Sequence, residues 1–216
     1  MKGIFITFEG PDGAGKTTQL QRLAKELQDM GHEILVTREP GGTAISDKIR
    51  SIILSPDNQE MVDQTEVLLY AASRAQHVHE RILPALQESK IVLCDRFIDA
   101  SVAYQACGLG VDIGLVKAIN RFASSGLQAT RTYLLDVPVE VSKERLLQRS
   151  QASAQAPLDR IEQKGFEYHN RVREGFHRIA EDEPSRVVVI NAHRTEDEIA
   201  IDILADCKRL LEGLSK

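Results

Sequence analysis

Tryptophan is absent from this 216-residue chain, aromatic residues make up only 5% of it, and cysteine occurs three times. An odd, small cysteine count without metal-ligand spacing argues against a disulfide framework and points to a reducing compartment. Cys94 ends an apolar run and reads as a small core residue. No apolar stretch approaches the roughly 20 residues that span a membrane, so no membrane partner is expected. The first β-rich run begins at Gly3 and leaves no room for a signal peptide, so a cytoplasmic location is expected. A basic excess is missing too. The net charge of −5 argues against a nucleic-acid partner, although a local basic pocket for a small phosphate ligand is still permitted. With 42% hydrophobic residues, the chain can fill one sizeable core but hardly two. Neither an internal repeat nor a linker divides it, and residues 1–216 read as a single domain.

What the sequence does have is Gly10-Pro11-Asp12-Gly13-Ala14-Gly15-Lys16-Thr17-Thr18. This run fits the phosphate-binding pattern of two glycines, a lysine and a hydroxyl residue at fixed offsets. A short apolar run, Ile4 to Phe8, precedes it, and Leu20, Leu23, Ala24 and Leu27 follow at helical spacing. Strand, glycine loop and helix are the context the motif needs. Backbone N–H groups freed by the glycines point at phosphate oxygens, and the helix N-terminus adds partial positive charge. Lys16 would reach the β- and γ-phosphates, and the Thr17 hydroxyl would sit on Mg²⁺.

Further strands are predicted at 33–37, 91–94, 131–136 and 186–190, alternating with helical patterns. Thr43 or Ser46 can cap a helix carrying Ile45, Ile49, Ile52 and Ile53. One long helix is predicted over 62–86, with Val67, Leu68, Ala71, Ala75, Val78, Ile82 and Leu86 on its apolar face. Shorter helices follow at 101–104 and 111–124, then one over 139–149 begun by Pro138. Residues 151–157 carry no charge and little hydrophobic drive and read as a mobile loop, a lid at about 150–160. Helix is expected to resume beyond it to about residue 180, with Leu158, Ile161, Phe166, Val172, Phe176 and Ile179 inward, and a last helix spans 195–211. The alternation predicts an α/β fold, a five-stranded parallel sheet covered on both faces with right-handed crossovers.

The loop alone specifies a nucleotide and not a reaction. The Asp-x-x-Gly and Asn-Lys-x-Asp motifs of GTPases are missing. Arg38 and Arg96 both follow predicted strands, at the carboxyl edge where open α/β sheets bind ligands. Phosphoryl transfer needs positioning and charge neutralisation more than acid–base chemistry, and a phosphate acceptor is already ionised. No convincing His or Cys nucleophile is present; His77 and His79 read as packing or surface residues. Asp95, at the end of an apolar strand, suits an indirect Mg²⁺ contact or the holding of an arginine.

At this point the residues resemble a known family. The chain is similar to bacterial thymidylate kinases in Phe8 to Thr18, Thr37-Arg38-Glu39-Pro40-Gly41-Gly42-Thr43, Ala72-Ser73-Arg74-Ala75-Gln76, Asp95-Arg96-Phe97, Ala103-Tyr104-Gln105 and Leu158-Asp159-Arg160-Ile161-Glu162. The resemblance covers nearly the whole length. It implies the P-loop nucleoside monophosphate kinase fold and phosphorylation of dTMP to dTDP by MgATP in a homodimer. It further implies that Arg96 and Arg50 hold the acceptor phosphate and that Arg74 reads the thymine edge. By the same resemblance Tyr70 stacks on the base, Ser101 and Gln105 face it, and Tyr104 lies on the sugar side, excluding a 2′-hydroxyl. Asp12 contacts the acceptor sugar or organises metal-bound water, Glu39 supports the same region, and Thr17 and Asp95 serve the metal. Gly13 stands where some relatives place an arginine, which implies the lid-arginine subtype, with Arg149 and then Arg160 as the transition-state cation. Leu109 also departs from the arginine common at its position, and the 151–157 stretch holds no arginine. Two rivals remain open: a kinase of another small acceptor, and a nucleotide-binding regulatory protein without transfer.

Overall fold

In a computed structural model, which describes residues 3–152 and 158–214, five parallel strands form one sheet in the order β2-β3-β1-β4-β5. The strands are β1 (Ile4–Glu9), β2 (Ile34–Arg38), β3 (Ile91–Asp95), β4 (Arg131–Asp136) and β5 (Val187–Asn191). β1 is central and every one of its residues is buried, as a strand covered on both faces must be. Phe8 of β1 and Arg38 of β2 both stand opposite Asp95 of β3. The chain therefore leaves the sheet at Gly10, Glu39 and Arg96 along one carboxyl edge.

Helix α1 (Lys16–Asp29) starts directly after Gly15, whose left-handed φ of 88° turns the loop into the helix. Its Leu20, Leu23, Ala24 and Leu27 pack under the sheet with Ile199, Ile203 and Cys207 of α9 (Glu196–Leu214). On the opposite face, α6 (Ile113–Ala123) and α8 (Phe166–Asp182) cover β4 and β5 through Val116, Val172, Phe176 and Val187. Helix α2 (Ala44–Leu54) is capped by Thr43, whose hydroxyl accepts from Ser46 N at 3.2 Å. Helix α7 (Val139–Ala152) leads to residues 153–157; the lid expected at about 150–160 lies there in part, outside the described residues.

Four expectations need correction. The long helix over 62–86 is divided into α3 (Asp63–His77), a π-helical turn (Val78–Ile82) and α4 (Leu83–Gln87). Pro84 has no N–H and its ring crowds the carbonyl one turn back, and the wider turn accommodates both. A second π-helical stretch (Val102–Gly108) extends α5 (Ile98–Ser101), merging what read as a short separate helix. Residues 158–165 form a turn and not a helix, because the Asp159 carboxylate accepts from Ile161 N and Glu162 N, both at 2.9 Å. Leu68 and Phe166, expected to face inward, are 57% and 42% exposed.

Candidate active site

Gly10 opens the loop with φ 130°, and a Cβ there would come within 2.2 Å of the Leu135 carbonyl oxygen. Only glycine passes so close to β4. The loop wraps back so that the Lys16 ammonium, only 6% exposed, donates to Pro11 O at 2.8 Å and to Gly10 O at 3.2 Å. Burial, and next the nearby Arg96 charge, lower the Lys16 pKa. Beside it the Thr17 hydroxyl donates to the Asp95 carboxylate at 2.5 Å. The two residues assigned to the metal thus meet from α1 and β3. Asp95 holds the threonine and not an arginine.

Arg96 sits in a left-handed conformation, φ 68°, as the chain turns off β3. Its guanidinium donates to Gly10 O at 2.9 Å, Asp12 at 2.6 Å and the Tyr104 hydroxyl at 3.0 Å, lying over the Tyr104 ring. Tyr104 in turn donates to the other Asp12 oxygen at 2.9 Å. Burial alone would raise the Asp12 pKa, but Arg96 and Lys16 outweigh it and hold the carboxyl well below its usual range. Burial would likewise lower Arg96, and Asp12 overrides it to raise that guanidinium well above its usual value.

All eight residues expected to bind the acceptor, Glu39, Arg50, Tyr70, Arg74, Arg96, Ser101, Tyr104 and Gln105, line one cleft with ≈ 520 Å³ of empty space, mouth included. Asp12 closes the end nearest the phosphate loop. Arg50 is half-buried and donates to Pro40 O at 2.9 Å. Arg74 is 2% exposed and heavily committed. Its Nε donates to Glu39 at 2.7 Å, Nη1 to Ser101 at 3.0 Å and to Asn120, and Nη2 to Phe97 O at 2.9 Å. Of the five N–H donors of a guanidinium, one remains for a ligand. The guanidinium is thus a tightly braced head, mostly committed to the protein's own acceptors. Glu39 also meets His77 Nδ1 at 3.0 Å, and His77 Nε2 meets the Thr37 hydroxyl at 2.6 Å. His77 is a fully buried brace behind Arg74; His79 is exposed. Gly42, φ 91°, completes this packing, since a Cβ there would lie 2.6 Å from His77 Nε2.

The two arginines expected to serve from the lid differ. Arg149 is half exposed and makes a two-pronged pair with Glu162 at 2.8 and 2.9 Å. Arg160 is 4% exposed, pairs with Glu66 at 2.6 Å and donates to Ile53 O at 2.9 Å. Neither lines the cleft. Sequence reasoning missed Glu66, Asn120, Asp159 and the role of His77. Glu66 and Asn120 were findable, because each is a polar residue on an apolar helix face. Asp159 lines the cleft, and burial pushes its carboxyl up to about 6.

Glu9 is fully buried, and one carboxyl oxygen accepts from Phe97 N at 2.7 Å and Ala100 N at 3.3 Å, bracing the Arg96 turn. Its other oxygen has no hydrogen-bond partner among the described residues. Burial, then the Asp99 charge, push this group from 4.5 to about 8. The neutral acid is favoured in the folded chain, so its stabilising contribution is present below this window and is lost as pH rises through it. Glu9→Gln should remove that loss. Its melting temperature relative to wild type should climb between about pH 6 and about pH 8.5. A constant difference across that range contradicts this assignment.

A family model described as thymidylate kinase matches residues 8–203. The chain is 53% identical over 216 residues to a thymidylate kinase of Exiguobacterium sibiricum, covering 100% of this chain and 98% of that one. It is 47% identical over 215 residues to a thymidylate kinase of Geotalea uraniireducens, covering 98% and 100%. The crystal structure of thymidylate kinase from Ehrlichia chaffeensis superposes with a TM-score of 0.76 at 31% identity, covering 96% of this chain and 99% of that one.

Proposed function

The chain belongs to the thymidylate kinase family, whose enzymes phosphorylate dTMP to dTDP, and from that premise we propose how its own residues perform the reaction with ATP as donor. The observation that carries the reading is the Arg96–Asp12–Tyr104 cluster, in which Arg96 touches both the phosphate loop and the wall of the cleft. One cation then serves donor and acceptor phosphates together. The loop of residues 10–18, through its backbone N–H groups (Pro11 has none), and Lys16 hold the donor phosphates. Arg50 and Arg96 hold the acceptor phosphate, whose oxygen is already ionised and needs no general base. Asp12, kept ionised by its cationic neighbours, orients Arg96 and the sugar end of the acceptor. Tyr70 stacks on the base, Arg74 donates its remaining N–H to it, Ser101 and Glu39 brace Arg74, and Gln105 offers its free oxygen. Tyr104 fills the space a 2′-hydroxyl would need.

Thr17 and Asp95 are hard oxygen donors of the kind Mg²⁺ takes alongside substrate phosphates, and they would hold that ion, which screens phosphoryl charge. Arg149 is our transition-state cation, released from Glu162 when nucleotide binds. Arg149→Ala should lower kcat by about 10³-fold while raising the KM for ATP far less. Equal effects on both would mean that Arg149 only binds ATP.

Residues 1–216 form a single domain in this reading, the lid at about 150–160 closing over it. The enzyme is a cytoplasmic homodimer that binds small molecules and no nucleic acid. Among the described residues, no helix is long and apolar enough to cross a membrane. Exposed apolar side chains on α2 (Ile45, Ile52), α3 (Leu68) and α6 (Leu115, Phe122) support the dimer. A monomer mass in sedimentation equilibrium would exclude it.

A further inference from the structure

We propose that the Arg160–Glu66 ion pair fixes which way round the Gln105 amide stands, and so makes the cleft select a base carrying N–H at ring position 3. The inference rests on the dTMP reading and adds the device that chooses among pyrimidines.

Glu66, on α3, is 1% exposed, and its two oxygens face different partners. One accepts from Arg160 Nη2 at 2.6 Å and the other from Gln105 Nε2 at 3.0 Å. Arg160 is itself anchored at the end of α2, its Nε donating to Ile53 O at 2.9 Å and its backbone N to Leu54 O at 3.2 Å. Gln105, 1% exposed in the π-helical stretch, lines the cleft, and its Oε1 has no hydrogen-bond partner among the described residues. A carboxylate offers acceptors only, whereas an amide has a donor end and an acceptor end. With the glutamate locked by Arg160, the amide must give its NH₂ to Glu66. The opposite flip would set two acceptor oxygens against each other and bury the NH₂ without its partner. The orphaned Oε1 is what remains for a ligand.

Thymine and uracil present N3–H, a donor that satisfies it. Cytosine presents a bare N3, a third acceptor, and leaves both groups unpaired out of water. Leaving buried polar groups unpaired costs on the order of 10²-fold in discrimination. The same segment supplies Asp159 and Ile161 to the cleft wall, so Arg160 lies behind the base site. Arg160 and Glu66 are therefore positioning residues, acting through Gln105.

The test is kcat/KM with MgATP for dTMP, dUMP and dCMP in wild type, Glu66→Gln, Arg160→Met and Arg160→Lys, with melting temperatures. The amide introduced by Glu66→Gln can pair with either end of Gln105, so the dTMP:dCMP preference of that variant should fall by about 10-fold or more. The dTMP:dUMP ratio, which compares two bases with N3–H, should hold, as should the KM for ATP. Arg160→Met leaves an acceptor-only carboxylate but unlocks it, so the preference should fall in the same direction and by less than in Glu66→Gln, and Arg160→Lys should restore much of it. An unchanged dTMP:dCMP ratio in Glu66→Gln overturns the proposal, whatever the loss of turnover or stability. So does an Arg160→Met enzyme that loses kcat equally with all three acceptors, since Arg160 would then serve the transferring phosphate. If Arg160→Met fails to fold, Glu66→Gln, which exchanges one oxygen for NH₂, decides by itself. Wild type without a preference for dTMP over dCMP would instead defeat the underlying acceptor reading.

Discussion

Lys16→Ala should lower kcat/KM by about 10³-fold or more while leaving the melting temperature close to that of wild type. In the free chain the ammonium is held by Pro11 O and Gly10 O, two neutral acceptors. Burial and Arg96 both disfavour its charge there, so its removal relieves as much as it forfeits. In the proposed complex with nucleotide, the same positive charge meets phosphate oxygens. The interaction strengthens as charge develops along the transferring group, and that difference accelerates the reaction. Steady-state ADP release checks the prediction. Near-normal turnover would sink the assignment of the phosphate loop.

Arg74→Ala should destabilise the fold by about 3–5 kcal/mol, the usual effect of removing one partner from a buried ion pair. Arg74 and Glu39 are each about 2% exposed in their side chains and meet at 2.7 Å. Without the guanidinium, the Glu39 carboxylate keeps only His77, and Ser101, Asn120 and Phe97 O lose a donor. In the proposed site the brace and the base reader are the same side chain, so stability and dTMP affinity should fall together. Arg74→Lys keeps the charge but cannot reproduce the fork, and should fail to restore the KM for dTMP. Denaturant titration of both variants measures this. A loss below about 1 kcal/mol in Arg74→Ala would mean that the network contributes little.

The frame of the fold was legible because its signals are local. Ile91 to Cys94 is apolar throughout and is buried as β3, and the glycine loop sits between the expected strand and helix. The cleft was legible because motif residues from six separate segments converge there. What stayed hidden depends on tertiary partners. Nothing local distinguishes Arg149, half exposed on Glu162, from Arg160, buried on Glu66. Helical spacing placed Leu68 with the core, because periodicity reveals an apolar stripe without saying what covers it. The turn at 158–165 escaped for a similar reason. Its apolar spacing suits a helix, but Asp159 competes for the backbone N–H groups. His77 looked incidental because its worth lies in bridging Thr37 and Glu39, far from it in sequence.

The most direct test is ADP formation with MgATP and a panel of acceptors: dTMP, dUMP, the 2′-hydroxyl form of TMP, dCMP and AMP. The proposed roles of Arg74, Gln105 and Tyr104 predict strong turnover of dTMP and rejection of the ribonucleotide, dCMP and AMP, with dUMP sharing the N3–H that Gln105 reads. Comparable turnover with dCMP or AMP would contradict it, keeping the phosphate chemistry and discarding the base and sugar assignments.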